Sequence, residues 1–156
     1  MPHRYIGLPV EPFRSLFHLD DDELVARGMR RMAVDAKPGF PCRITLEDAE
    51  PGERVLLVPF EHHPAHSPYR ASGPIFVREA AREAFDEIGD PPSVLRDRIL
   101  SVRGYASDGM MIDADVTPGD GLVTLLDRLF GSSAIAYAHV HFARRGCFAA
   151  RVERAG

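Results

Sequence analysis

The sequence predicts an α+β fold: an antiparallel-rich sheet with two or three helices packed on its apolar face. Three observations point there. Two segments in the second half fold back on themselves as hairpins, each around a glycine: Leu100–Val116 through Ser107-Asp108-Gly109, and Ala138–Val152 through Arg144-Arg145-Gly146. Between them Leu122, Leu125/Leu126 and Leu129/Phe130 recur at helical spacing, with Pro118-Gly119-Asp120 in front and Gly131 behind. Near the start, Asp20 with Glu23 three residues on is a capping-box pattern.

The elements follow in order. Met1–Leu19 reads as irregular or a short edge strand. The helix opened by Asp20 is expected to carry Leu24, Gly28 and Met32 on one stripe and to close at Pro38-Gly39. Cys42, Ile44 and Leu46 alternate with polar residues, a strand pattern with Cys42 turned to the apolar side. Val55–Val58 is apolar without a break, as in a strand buried on both faces, and Pro59 ends it. Glu61–Pro74 is expected to be a long loop holding His62, His63 and His66. Ile75-Phe76-Val77 is a further strand. Glu79–Ile88 reads as a helix, through Ala81, Ala84/Phe85 and Ile88, broken by Gly89-Asp90-Pro91-Pro92.

The hairpins can be registered by their faces, because a one-residue slip turns every side chain over. A three-residue loop sets Ala106 against Met110, Gly104 against Ile112, Val102 against Ala114 and Leu100 against Val116, an apolar face. The reverse face then places Arg103 opposite Asp113. In the second hairpin Phe142/Phe148, Val140/Ala150 and Ala138/Val152 make the apolar face, and Tyr137, His139, His141, Cys147 and Arg151 share the polar one.

The 156 residues fit one domain, 1–156. A net charge of −4 carries no electrostatic footprint for nucleic acid or an anionic membrane. Arg30–Arg31, Arg144–Arg145 and Arg151/Arg154 read as solvated faces. No leader pattern or membrane-length apolar run is present. The two cysteines, Cys42 and Cys147, read as reduced thiols, which points to the cytoplasm.

Chemistry is expected on the polar sheet face and the loop near it. Tyr69, Arg70, Ser72, Tyr105 and Arg151 are candidate ligand contacts for a small polar or anionic molecule. No catalytic role is assigned; the weak candidates are His139, as a proton donor or acceptor, and Cys147, as a nucleophile beside His and Arg. No cofactor is predicted. His139 and His141, two apart on a strand, are weak candidates for a divalent ion such as zinc, with a third ligand from the loop histidines. The other readings are a non-catalytic interaction module, or a homodimer formed through a sheet edge at the C-terminal hairpin.

Pro41-Cys42-Arg43, Pro51-Gly52-Glu53, Ser67-Pro68-Tyr69-Arg70-Ala71-Ser72 leading into Pro74–Arg78, Gly104-Tyr105 with Asp108-Gly109, and His139-Val140-His141 with Gly146-Cys147-Phe148 resemble a bacterial family, domain of unknown function 1203. The resemblance runs from Pro41 onward. It implies a bacterial, single-domain, cytoplasmic protein and brings no activity with it. It places Cys42, Arg43, Tyr69, Arg70, His139 and Cys147 in signature segments.

Overall fold

The computed structural model describes residues 2–156. Among them nine strands form two antiparallel sheets. β1 (His3–Ile6), β5 (Asp86–Gly89), β6 (Ile99–Tyr105), β7 (Met111–Pro118), β8 (Tyr137–Phe142) and β9 (Phe148–Arg154) make one sheet in the order β5-β1-β9-β8-β6-β7. β2 (Arg30–Ala33), β3 (Arg54–His63) and β4 (Ala71–Arg78) make the other. The helices are α1 (Asp21–Ala26), α2 (Ser93–Arg96) and α3 (Leu122–Phe130), with 3-10 turns at Glu11–His18 and Gly119–Gly121. The α+β class therefore holds. No helix is long and apolar enough to cross a membrane among the described residues.

The capping box forms: the Glu23 amide donates to Asp20 Oδ1 at 2.8 Å and the Asp20 amide donates to Glu23 Oε1 at 3.2 Å. The helix then stops far short of Pro38. Gly28 turns left-handed (φ 76°), its amide donates to the Val25 carbonyl, and the Met29 amide donates to that of Leu24. This is the bonding of a Schellman stop. The residues beyond it are strand β2, paired with β3 from Arg30↔Leu57 to Ala33↔Arg54.

Three other expectations are corrected. Cys42, Ile44 and Leu46 are buried, but no strand carries them; the chain turns back at Leu46 (φ 53°) and makes only isolated bridges, Pro41↔Asp48 and Cys42↔Phe76. The long loop shrinks to 64–70, because β3 runs through Pro59 to His63. Pro59 faces Pro74 of β4 and lies beyond the end of β2, so its missing N–H disturbs no ladder. Residues 79–85 form no helix. The Phe85 amide donates to the Ile44 carbonyl and the Gly7 amide to that of Phe85, and Asp86–Gly89 becomes the edge strand beside β1.

The α3 stripe is as expected. Leu122, Leu126 and Leu129 pack with Leu100, Val102, Val140 and Val152 over one face of the six-stranded sheet. The three-residue turn also forms, with the Ala106 amide donating to the Met110 carbonyl and Gly109 left-handed at φ 86°. A bulge at Ile112 then shifts the strands by one, so Val102 faces Asp115 and Gly104 faces Asp113. Asp113 and Asp115 therefore lie on the α3 side, where Arg128 binds both at 3.1 and 3.0 Å. The expected Arg103–Asp113 pair does not exist; Arg103 faces Ala114 and His139. The wholly apolar face fails because the bulge turns Val116 to the other side, opposite Ser101, where on this edge strand it stays 60 % exposed.

The C-terminal hairpin keeps Val140↔Ala150 and Ala138↔Val152, then bulges so that His141 faces Phe148. The Phe142 amide donates to the Cys147 carbonyl and the Gly146 amide to that of Phe142, closing a four-residue turn. Phe148 thus joins the histidine face, and Cys147 leaves it for the core side. Nor does this hairpin offer a free edge: β9 lies between β1 and β8, and β8 between β9 and β6. At the β7 edge, Asp113 and Asp115 accept from the amides of Ala114 and Val116 at 2.8 and 2.7 Å. Those donors are unavailable to a pairing strand.

Candidate functional site

The polar face of the six-stranded sheet is not open. It carries rows across adjacent strands: Tyr105 beside Tyr137, Arg103 beside His139 beside Arg151, and Ser101 beside His141 beside Phe148. A bulge between Phe60 and His63 lets consecutive residues of β3 reach this face. His62 stacks on Phe148 with ring centres 5.3 Å apart, and His63 sits 4.2 Å from Tyr105. The result is a packed aromatic plug between the sheets, with His139 and His141 only 3 % and 1 % exposed.

His63 is fully bonded, Nδ1 to the Tyr69 carbonyl at 2.9 Å and Nε2 to the Tyr137 hydroxyl at 2.7 Å. His141 Nδ1 donates to the Gly146 carbonyl at 2.9 Å, which fixes its tautomer and leaves a lone pair on Nε2. That Nε2, His139 Nδ1 and His62 Nδ1 are buried without partners. Burial pushes His139 down to about 2 and His141 to about 4, with the neighbouring histidines and Arg151 adding to the effect for His139. His62 is lowered too, first by burial and then by Arg103. All three are neutral at pH 7.

Neutral imidazoles suit a metal in type, but their surroundings do not. Arg103, Arg151 and Arg43 all press on these histidines electrostatically. Such a field repels a divalent cation. Among the described residues no group of three His, Cys, Asp or Glu is placed to hold a metal ion.

The expected ligand contacts are brought together only in part. Tyr69 and Tyr105 meet with ring centres 6.4 Å apart, and the Arg151 guanidinium lies 4.2 Å over the Tyr137 ring while Nε donates to Glu153. Arg70 faces solvent, paired with Glu61 at 2.9 Å. Ser72 lies apart, on an open depression of the small sheet with Val25 and Arg30.

The cavity lies elsewhere, between the two sheets at the turn of the C-terminal hairpin. This half-open cleft holds about 660 Å³, within the usual range for small-molecule sites. Arg43 lies in its wall. Only 2 % of this residue is exposed, yet no carboxylate meets it. Nε donates to the Phe148 carbonyl at 2.7 Å, Nη1 to the Pro41 carbonyl at 2.7 Å and Nη2 to Cys147 Sγ at 3.1 Å. A guanidinium has five N–H donors, so one on each terminal nitrogen is left over. Burial pulls Arg43 down to about 10, with the facing Cys147 sulfur opposing that shift; the group remains a cation at neutral pH.

Arg98 shares the wall and is neutralised by Asp48 through bonds of 2.7 and 3.1 Å. The guanidiniums of Arg43 and Arg98 each lie 5.0 Å from the Phe142 ring. Phe40 and Phe76 pack together at 5.2 Å and form an apolar wall with Met32. At the mouth stand Arg144 and Arg145, exposed on the four-residue turn, with Asp97. Neither arginine has an ion-pair partner among the described residues.

Sequence reasoning placed Arg144–Arg145 on a solvated face and did not find Arg98, Asp48 or Phe142. One signal was present. The two segments Pro41-Cys42-Arg43 and Gly146-Cys147-Phe148, both part of the family resemblance, meet here through two of the Arg43 bonds, those to Phe148 and Cys147. A family model described as "Protein of unknown function (DUF1203)" matches residues 39–154. No curated protein and no solved structure matches the chain.

Proposed function

We propose, from the premise that the chain belongs to the DUF1203 family, that it binds a small anionic molecule with an apolar body in the arginine-lined cleft. The observation that carries this reading is Arg43: a buried guanidinium on the wall of a cavity, held by two carbonyls and a thiol and neutralised by nothing. A buried charge without a counter-ion is expensive, and an oxyanion in the cavity would supply one. Phe40, Phe76 and Phe142 would take the apolar part. Cys147, half-buried in the same wall, puts a sulfur nucleophile within the cleft. We assign the protein to the bacterial cytoplasm; two unpaired cysteines suit a reducing compartment.

Thermal unfolding with a panel of small carboxylates and phosphates tests this. A true ligand at about a hundred times its Kd should raise Tm by roughly 5–10 °C. The Arg144→Ala/Arg145→Ala variant should lose that shift while keeping its own Tm. Uniform small shifts in both proteins, tracking ionic strength alone, would sink the reading.

A second reading, an interaction module, draws on one observation: Ile99, Ile112 and Val116 are exposed together on β6 and β7. Sedimentation across a hundredfold concentration range tests self-association, and a monomer throughout removes the homodimer form of it.

A further inference from the structure

The charge of the cleft says more about its occupant than that it is an anion. Of the four arginines in its wall, Arg98 is matched by Asp48 through a two-point pair. Arg43, Arg144 and Arg145 have no carboxylate, and Asp97 at the mouth is the one acid in the lining. Three unmatched cations against one acid leave two positive charges in excess. The cationic groups sit at two depths. Arg43 is sealed in with two spare N–H donors, while Arg144 and Arg145 ride on the exposed hairpin turn.

Between them the walls are apolar and aromatic. The Phe142 ring lies 5.0 Å from two guanidiniums, and the Phe40–Phe76 pair, tilted at 59°, lines the cleft with Met32. Such rings bury the apolar part of a ligand.

We infer that the ligand is a dianion carried on an apolar body, a phosphate monoester or a dicarboxylate, held between the Arg144–Arg145 turn and Arg43. This rests on the binding reading above and adds its charge. Two negative charges neutralise the excess, whereas a monoanion leaves one cation unmatched. Guanidinium geometry favours oxyanions that accept two parallel N–H bonds, which phosphate and carboxylate both do.

Isothermal titration of the wild-type protein at low salt and pH 7.5 with phenyl phosphate, phthalate and benzoate tests it. At this pH the first two are dianions. Each dianion that fits should bind at least tenfold more tightly than benzoate. Preference between phenyl phosphate and phthalate tells whether the headgroup is phosphate or dicarboxylate. In Arg144→Ala/Arg145→Ala affinity for the dianions should fall at least tenfold and their advantage over benzoate should vanish. The location is read by iodoacetamide: bound dianion should slow alkylation of Cys147, which shares the wall. If benzoate binds as tightly as both dianions, the dianion inference falls and the anion-binding reading survives. If none of the three binds, or binding leaves Cys147 alkylation unchanged, both fall.

Discussion

Taking the protein from pH 8 to about pH 5 should remove about 4 kcal/mol of stability through His139 and His141. Both have an ordinary value of 6.5, and burial in the aromatic plug moves them to about 2 and about 4. The unfolded chain therefore takes up protons first as the pH falls. Stability is full above 6.5 and declines below it, and the His141 contribution levels off below about 4. At pH 5 each imidazole is about 1.5 pH units below 6.5, or ~2 kcal/mol at 1.36 kcal/mol per unit. His62 is pushed the same way by burial and adds to the loss. The carboxylates held low by arginines, Glu53 and Asp86, act in a different window. Their stabilisation is lost only as the pH drops below their ordinary values of 4.5 and 3.8. Against a total of about 5–15 kcal/mol for a domain, the histidine term is large. Urea unfolding followed by circular dichroism at several pH values between 5 and 8 measures it. His139 Nδ1 makes no hydrogen bond, so His139→Phe should fold and roughly halve the slope. A loss under about 1 kcal/mol from pH 8 to 5, or an unchanged slope in His139→Phe, would refute the reasoning.

Other expectations follow from single positions. Iodoacetamide should label Cys147, which is half-buried, and spare Cys42, which is sealed; peptide mass spectrometry reads both, and equal labelling would mean the interior is more open than described. Arg43→Ala strips the bonds to the Phe148 and Pro41 carbonyls and opens a void, so a loss of about 3–5 kcal/mol is expected in urea unfolding. Gly28 and Gly109 make a controlled pair, since both are left-handed at φ 76° and 86°. A Cβ on Gly28 meets open space, while one on Gly109 would stand 2.3 Å from the Ala65 Cβ. Gly28→Ala should cost about 1 kcal/mol and Gly109→Ala clearly more, about 2–4 kcal/mol. Equal costs would show that the 64–70 segment yields freely.

Where the sequence was legible, one local rule decided the outcome. The capping box, the Leu122–Phe130 stripe and the three-residue turn at Gly109 formed where expected, whereas the turn at Gly146 holds four residues instead of three. Illegible regions were those where backbone partners come from far along the chain. Residues 79–85 have an apolar spacing that fits a helix, but their amides and carbonyls are taken by Gly7 and Ile44. The bulges at Ile112 and in the C-terminal hairpin each displaced a register that face-matching alone had set. Face-matching assumes every apolar residue seeks the core, and on the edge strand β7 that premise does not hold. For the site, His139, Tyr69 and Tyr105 lie together, with their rings packed against one another. The cleft was hidden because Arg43 sits in an apparent strand alternation where its side chain would point outward.

The bulge that defeated the hairpin register also explains why plug and cleft exist together. Without it, Phe148 would face the α3 side and Cys147 the histidines. With it, Phe148 stacks on His62 and closes the plug, and Cys147 turns to meet Arg43. The same residue, Phe148, offers its ring to one site and its carbonyl to the other. Arg43 is then not needed as glue for the plug, whose contacts are rings and imidazoles. A methionine could fill its volume without the desolvation of a charge. Retaining an arginine there makes physical sense if its charge is used, and the cavity beside it is where an anion can use it.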